Sequence, residues 1–238
     1  MKKISSCLLA LLFSTAVLAV RDADKVASLP DCAALPSAWY SGYLNATQTK
    51  LLHFVLIESL DQPSTDPLLI WFNGGPGCSS MLGLFSEHGP FIFDDGETII
   101  KPNPEPWNKR ANLLYLESPA GVGYSLAGTD NDTYHTDVSQ SEDLLNAIID
   151  FYNGYPEYLN NDLYITGESY AGVYAPYLAW QLHQWNQRAK LDKTGNTPIY
   201  PLKGFIVGNG VTNYHLDCEA SLTETMANFN LIPQSVHD

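Results

Sequence analysis

Cationic side chains are scarce in this chain. Its 238 residues carry 12 Lys and Arg against 26 Asp and Glu, a formal net charge of −14 at pH 7. Phosphate neutralisation needs a Lys/Arg surface, so this composition excludes nucleic acid as a partner. Long apolar runs are also missing. After the first twenty residues no segment reaches 18 consecutive apolar positions, so no membrane span is expected once the leader is removed. There is no internal repeat, low-complexity tract or charge block. Cysteine is rare, with Cys7, Cys32, Cys78 and Cys218 the only four.

The opening stretch, MKKISSCLLALLFSTAVLAV, sets Lys2 and Lys3 before an apolar run and offers small residues around Ala19. That is the pattern of a secretory signal peptide over residues 1–19, with residues 20–238 remaining. Cleavage there moves the formal charge from −14 to −16, because Lys2 and Lys3 leave. The reading is a protein of the secretory pathway, secreted or held in a lysosomal or vacuolar lumen, where acidity lowers carboxylate self-repulsion. Two sequons, Asn45-Ala46-Thr47 and Asn131-Asp132-Thr133, suit a glycoprotein. Loss of Cys7 leaves three cysteines in an oxidising compartment. An odd count there means a free thiol or a partner outside this chain.

Runs of strand length occur at 51–59 (LLHFVLIES), 67–73 (PLLIWFN), 112–117 (NLLYLE), 162–166 (DLYIT) and 203–209 (KGFIVGN). Asp95-Gly96 inside residues 91–100 reads as a turn between neighbouring strands. Asp137 and Gln140 have capping-box spacing ahead of Leu144, Leu145, Ile148 and Tyr152, which share one helical face. A second helix is expected over 171–188, with Pro176 near its early turns. Strands alternating with helices predict an α/β fold with a mostly parallel sheet.

Two glycine-rich stretches carry the chemistry. In ITGESYAG (165–172) a predicted strand enters a predicted helix through Gly167-Glu168-Ser169-Tyr170-Ala171. Small residues two places either side of a serine permit the tight nucleophile elbow, which pushes the hydroxyl out above the sheet. After an earlier strand comes Asn73-Gly74-Gly75-Pro76-Gly77-Cys78-Ser79-Ser80. Glycines let backbone N–H groups approach a developing oxyanion closely, as acyl transfer requires. A phosphate loop would need a Gly-Lys-Ser/Thr ending, which is absent, and Gly121-Val122-Gly123 lacks the third glycine of a dinucleotide fingerprint.

These stretches, with PWNKRANLLYLESPAGVGYS (106–125) and GFIVGNGVT (204–212), resemble the serine carboxypeptidases in order and content. The resemblance implies an α/β-hydrolase-type sheet flanked by helices and removal of C-terminal amino acids from peptide or protein substrates at acidic pH. It requires no metal and no cofactor. It implies Ser169 as nucleophile and the N–H groups of Gly75 and Tyr170 as the oxyanion hole. Asn73, Gly74, Glu87 and Glu168 would hold the substrate's terminal carboxylate, and Cys78 would form a disulfide with a later cysteine.

The pattern departs from the family after Ser169. His183, His215 and His237 follow it, with Asp192, Asp217 and Asp238 among the aspartates, but none has the surroundings of the family's triad acid and base. The expectation is therefore the N-terminal part of such a domain, ending before the last strands, with the triad Asp and His outside it. Two other functions share these motifs: an acyltransferase relative, and a non-catalytic peptide-binding relative. Glu168 and Asn73 favour the peptidase.

Overall fold

The computed structural model describes residues 23–30, 32, 34–93, 96 and 98–237. The expected signal peptide, Cys7, Asp95 and Asp238 lie outside the described residues, as does the side chain of His237.

The expected strands form. The main sheet holds β1 (Trp39–Asn45), β2 (Lys50–Ile57), β3 (Leu68–Phe72), β6 (Asn112–Leu116), β8 (Leu163–Glu168) and β9 (Leu202–Gly208), in the order β1-β2-β6-β3-β8-β9. A short β7 (Leu126–Ala127) pairs with β2. β1 pairs with β2, and β2 with β6, in antiparallel fashion, whereas β6, β3, β8 and β9 are mutually parallel. Near Asp95-Gly96 the pairing is a small separate sheet of β4 (Phe91–Ile92) and β5 (Lys101–Pro102), so the second strand starts later than the turn suggests.

The central strands read as continuous apolar runs because both of their faces are covered. Along β2, Leu52, Phe54 and Leu56 point to one face, and Val55 and Ile57 to the other. Along β3, Leu68, Ile70 and Phe72 join the first set and Trp71 the second. The first face packs against α1 (Asp137–Gly154) through Leu144, Ala147, Ile148 and Phe151, and against α2 (Ala171–Leu191) through Tyr174, Ala175, Leu178 and Leu182. The expected face of α1 is confirmed, with Leu144, Ile148 and Tyr152 buried and Leu145 packed against them. The capping box, however, lies one residue earlier. Thr136 is the N-cap and accepts from the Ser139 N–H, so Asp137 and Gln140 sit inside the helix. The same spacing recurs at both registers, and the Ser139 hydroxyl settles the choice by closing back onto the Thr136 N–H at 2.9 Å.

β9 ends the sheet order among the described residues. Phe205 and Ile206 on it are 52% and 56% exposed.

Candidate active site

The parallel strands all point their C-terminal ends toward one edge of the sheet. In open α/β sheets that edge is where loops assemble a site. β8 ends at Glu168 and α2 begins at Ala171, so only Ser169 and Tyr170 make the turn. Ser169 adopts φ +58°, a left-handed conformation that non-glycine residues rarely occupy. Its N–H donates to Gly208 O at 3.1 Å and its carbonyl accepts from Gly172 and Val211 N–H at 2.9 and 2.8 Å, which hold the strained turn in place. A Cβ at Gly167 would lie 2.5 Å from Ala171 Cβ and 2.5 Å from Phe72 O. Small residues two places either side of the serine are therefore a steric requirement of this elbow.

The loop after β3 packs directly on that turn. A Cβ on Gly74 would sit 2.3 Å from Tyr170 N and 2.8 Å from Ser169 Cβ, so only a glycine backbone fits against the elbow. Gly75 follows immediately. Its N–H and that of Tyr170 make no backbone hydrogen bond among the described residues, which leaves both donors open.

Asn73 organises the other side of the site. It is buried, and its Oδ1 accepts from Trp71 Nε1 and Gly83 N, both at 2.9 Å. That fixes the amide so that Nδ2 donates to Glu87 Oε1 at 2.8 Å and Glu168 Oε1 at 3.0 Å. Two carboxyl groups from distant parts of the chain thus share one amide. Glu87 is delivered by the π-type turn Gly83–Glu87, anchored by buried Leu84. Desolvation raises the Glu87 pKa; the Asn73 bond opposes this and the nearby Glu168 charge adds to it.

Ser79, at the end of the glycine-rich loop, makes a short hydrogen bond to Glu117 Oε1. The other Glu117 oxygen accepts from His53 Nδ1 at 2.9 Å and from Tyr124 N–H at 2.8 Å. Burial would raise this pKa, but the bonds from His53, Ser79 and Tyr124 outweigh it and hold it below the ordinary carboxylate range. No sequence pattern pointed to Glu117, because its partners come from β2 and two separate loops. A depressed pKa means this stabilisation is present above the unfolded carboxylate value and lost as pH falls through the lowered one. Glu117→Ala is expected to destabilise the fold by about 3–5 kcal/mol at neutral pH, with a smaller loss in acid, as measured by denaturant melts.

The imidazoles are engaged elsewhere. His53 binds Glu117, His88 lies 3.0 Å from Tyr115 OH, and His135 faces Ala120 O. His183 neighbours Gln187 and His215 pairs with Glu219 on the surface. Burial lowers the His88 pKa to about 4, which keeps it neutral within its aromatic cage of Trp71, Trp107 and Tyr115. Among the described residues, Cys32, Cys78 and Cys218 are all free thiols.

This arrangement matches known proteins. A family model described as serine carboxypeptidase matches residues 30–238. The chain belongs to the serine carboxypeptidase family. It is 43% identical over 198 residues to the mouse lysosomal protective protein, covering 82% of this chain and 39% of that one. It is 46% identical over 198 residues to a Caenorhabditis elegans serine carboxypeptidase, covering 83% of this chain and 40% of the relative. A prohormone-processing carboxypeptidase from Saccharomyces cerevisiae superposes with a TM-score of 0.77 at 26% identity, over 90% of this chain and 48% of that one. The sheet and its flanking helices are thus those of a serine carboxypeptidase. The chain spans about two fifths of the length of the curated relatives. Among the described residues no helix is long and apolar enough to cross a membrane.

Proposed function

We propose that the protein is a serine-type carboxypeptidase that releases C-terminal amino acids from peptides at acidic pH in a lumenal compartment. The observation that carries this reading is the Asn73 amide held between Glu87 and Glu168 beside the Ser169 elbow. An exopeptidase needs donors for a free carboxylate next to the scissile bond. The Gly74 N–H and a protonated carboxyl of the Glu87–Glu168 pair are such donors, and Asn73 Nδ2 joins them by exchanging one of its two carboxyl partners for the substrate. The raised Glu87 pKa favours that proton in an acidic lumen.

In this mechanism Ser169 Oγ attacks the scissile carbonyl, and its proton passes to a base. The tetrahedral oxyanion is held by the Gly75 and Tyr170 N–H groups. The protonated amine departs as the free C-terminal amino acid, leaving an ester on Ser169. Water, deprotonated by the same base, cleaves the ester and returns the proton to Oγ. No described imidazole is bonded to Ser169, and none of the described residues is assigned as the base or its orienting Asp. The same holds for the disulfide partner of Cys78. Exposed Asn45 and Asn131 are the proposed glycan sites, Asn45 with its amide already bonded to Asp150 Oδ2 at 2.9 Å.

The test is incubation of the full-length protein with a blocked dipeptide as free acid and as amide. Release of the C-terminal amino acid from the acid, with at least tenfold slower attack on the amide, is expected (roughly one charged hydrogen bond). Equal rates on both would refute carboxylate recognition. Transfer of the acyl group to an added alcohol in preference to water would mark an acyltransferase.

A further inference from the structure

The Gly75 N–H belongs to a span that packing does not hold. Gly75, Pro76, Gly77 and Cys78 are all exposed, so a few bonds around the loop set their position. At its base, the Asn73 N–H donates to Ser80 Oγ at 3.4 Å, and Ser80 Oγ donates to Leu116 O at 2.8 Å. Within the loop, the Cys78 N–H donates to Gly74 O at 3.0 Å and closes a tight turn. A Cβ on Gly75 would lie 2.7 Å from Gly77 N and 2.8 Å from Cys78 N, so the Gly75 backbone rests on that segment. A shift of residues 77–78 is therefore passed on to the Gly75 N–H.

Two side chains restrain the segment. The Gly77 N–H donates to Tyr174 OH at 3.3 Å, a long bond to a neutral phenol. Ser79, next to Cys78, donates to Glu117 Oε1. Glu117 is the stiffer anchor, because it is wholly buried and fixed at both ends. Its N–H donates to His53 O at 3.0 Å, and its carbonyl accepts from Ser125 Oγ at 2.8 Å. Its Oε2 accepts from the Tyr124 N–H at 2.8 Å and lies 2.9 Å from His53 Nδ1. Gly123 runs so close that no Cβ would fit there against the carboxyl. The His53 ring is fixed in turn by Ser41 Oγ, 3.0 Å from Nε2, and by the rings of Tyr43 and Tyr124. Hydrogen bonds to an ionised group are shorter and stronger than neutral ones, which suits a carboxylate to this task.

We propose that Glu117, oriented by His53, is a positioning residue for acyl transfer. Through Ser79 it fixes the exposed 75–78 span and aims the Gly75 N–H at the developing oxyanion. The role rests on the oxyanion assignment made under the proposed function.

Ser79→Ala in the full-length protein removes the tether and leaves Gly75 and the buried Glu117–His53 pair in place. For a blocked free-acid dipeptide, kcat is expected to fall by about 10–100-fold, the scale of an ångström-sized misplacement. KM should stay within about twofold, since the lost interaction is made in the transition state alone. Hydrolysis of p-nitrophenyl acetate, which has no terminal carboxylate but needs the same donors, should slow by a similar factor. His53→Phe keeps the ring contacts and removes the bond to Glu117, so it should lower kcat less than Ser79→Ala does. Added to Ser79→Ala it should lower kcat no further, because His53 acts on the loop through Glu117 and Ser79. Melting curves establish that each variant is folded at the assay temperature, where a merely structural tether would leave kcat unchanged. Wild-type kcat in folded Ser79→Ala, or losses that multiply in the double variant, overturns the proposal. If the wild-type protein cleaves the ester but no peptide, the carboxypeptidase reading falls while the ester rates still decide the positioning role. Inertness toward both substrates overturns the two together.

Discussion

Ser169→Ala in the full-length protein is expected to lower kcat for a blocked dipeptide by about 10⁶-fold, the cost of removing the nucleophile from a serine hydrolase. Binding should survive, because the groups proposed to face the substrate carboxylate are untouched. Ser169 owes its turn to backbone bonds with Gly172, Gly208 and Val211, which alanine retains, so melting should change little. A second hydroxyl–imidazole–carboxylate array makes this variant informative. Ser41 Oγ lies 3.0 Å from His53 Nε2, and His53 Nδ1 lies 2.9 Å from Glu117. Ser41, however, lies within the regular strand β1, paired across from Val55, and not on a turn that projects its hydroxyl. Turnover retained in Ser169→Ala and lost in Ser41→Ala would reverse the assignment.

Gly74→Ala should be the second most damaging small change. The added methyl would meet Tyr170 N at 2.3 Å, Glu168 O at 2.8 Å and Ser169 Cβ at 2.8 Å. Two of these are backbone atoms, which do not rotate away as a flexible side-chain end would. The loop must therefore back off from the elbow, carrying the Gly75 N–H away from the place where the proposed mechanism develops negative charge. Loss of one oxyanion donor costs on the order of 10²–10³ in kcat. Asn73 precedes the clash, so KM for free-acid peptides should rise as well. Unchanged kcat with a normal melt would show that Gly75 is not an oxyanion donor.

The tight turn at Ser169 and the glycine-rich loop packed on it were legible because each is a local device. Residues 165–172 and 73–80 announce their turns through small residues at fixed spacing after apolar runs. Glu87 was reachable only through family resemblance, since its partner Asn73 lies 14 residues away and Glu168 is 95 from Asn73. Nothing local in LFSEHGP says that a π-type turn will aim that carboxyl at an amide. Glu117 was invisible for the same reason in stronger form. His53, Ser79 and Tyr124 converge on it only after β2 and β6 pair and two loops fold back. The capping box was misplaced by one residue because Thr136/Ser139 and Asp137/Gln140 offer the same spacing. The resulting register puts Gln140 inside α1, buried against Ser118.

The most direct test of carboxylate capture by the Asn73, Glu87 and Glu168 set is the pH dependence of KM for a free-acid peptide beside that of its amide. Burial and the Glu168 charge raise the Glu87 pKa, so Glu87 keeps its proton above the ordinary carboxylate range. In the proposed site a protonated Glu87 donates to the substrate carboxylate, and an ionised one repels it. KM for the acid should therefore climb as pH rises through the raised pKa, while KM for the amide climbs less. Glu168→Gln should flatten the acid profile. The same pH dependence for acid and amide, or an acid profile unchanged in Glu168→Gln, would contradict the account.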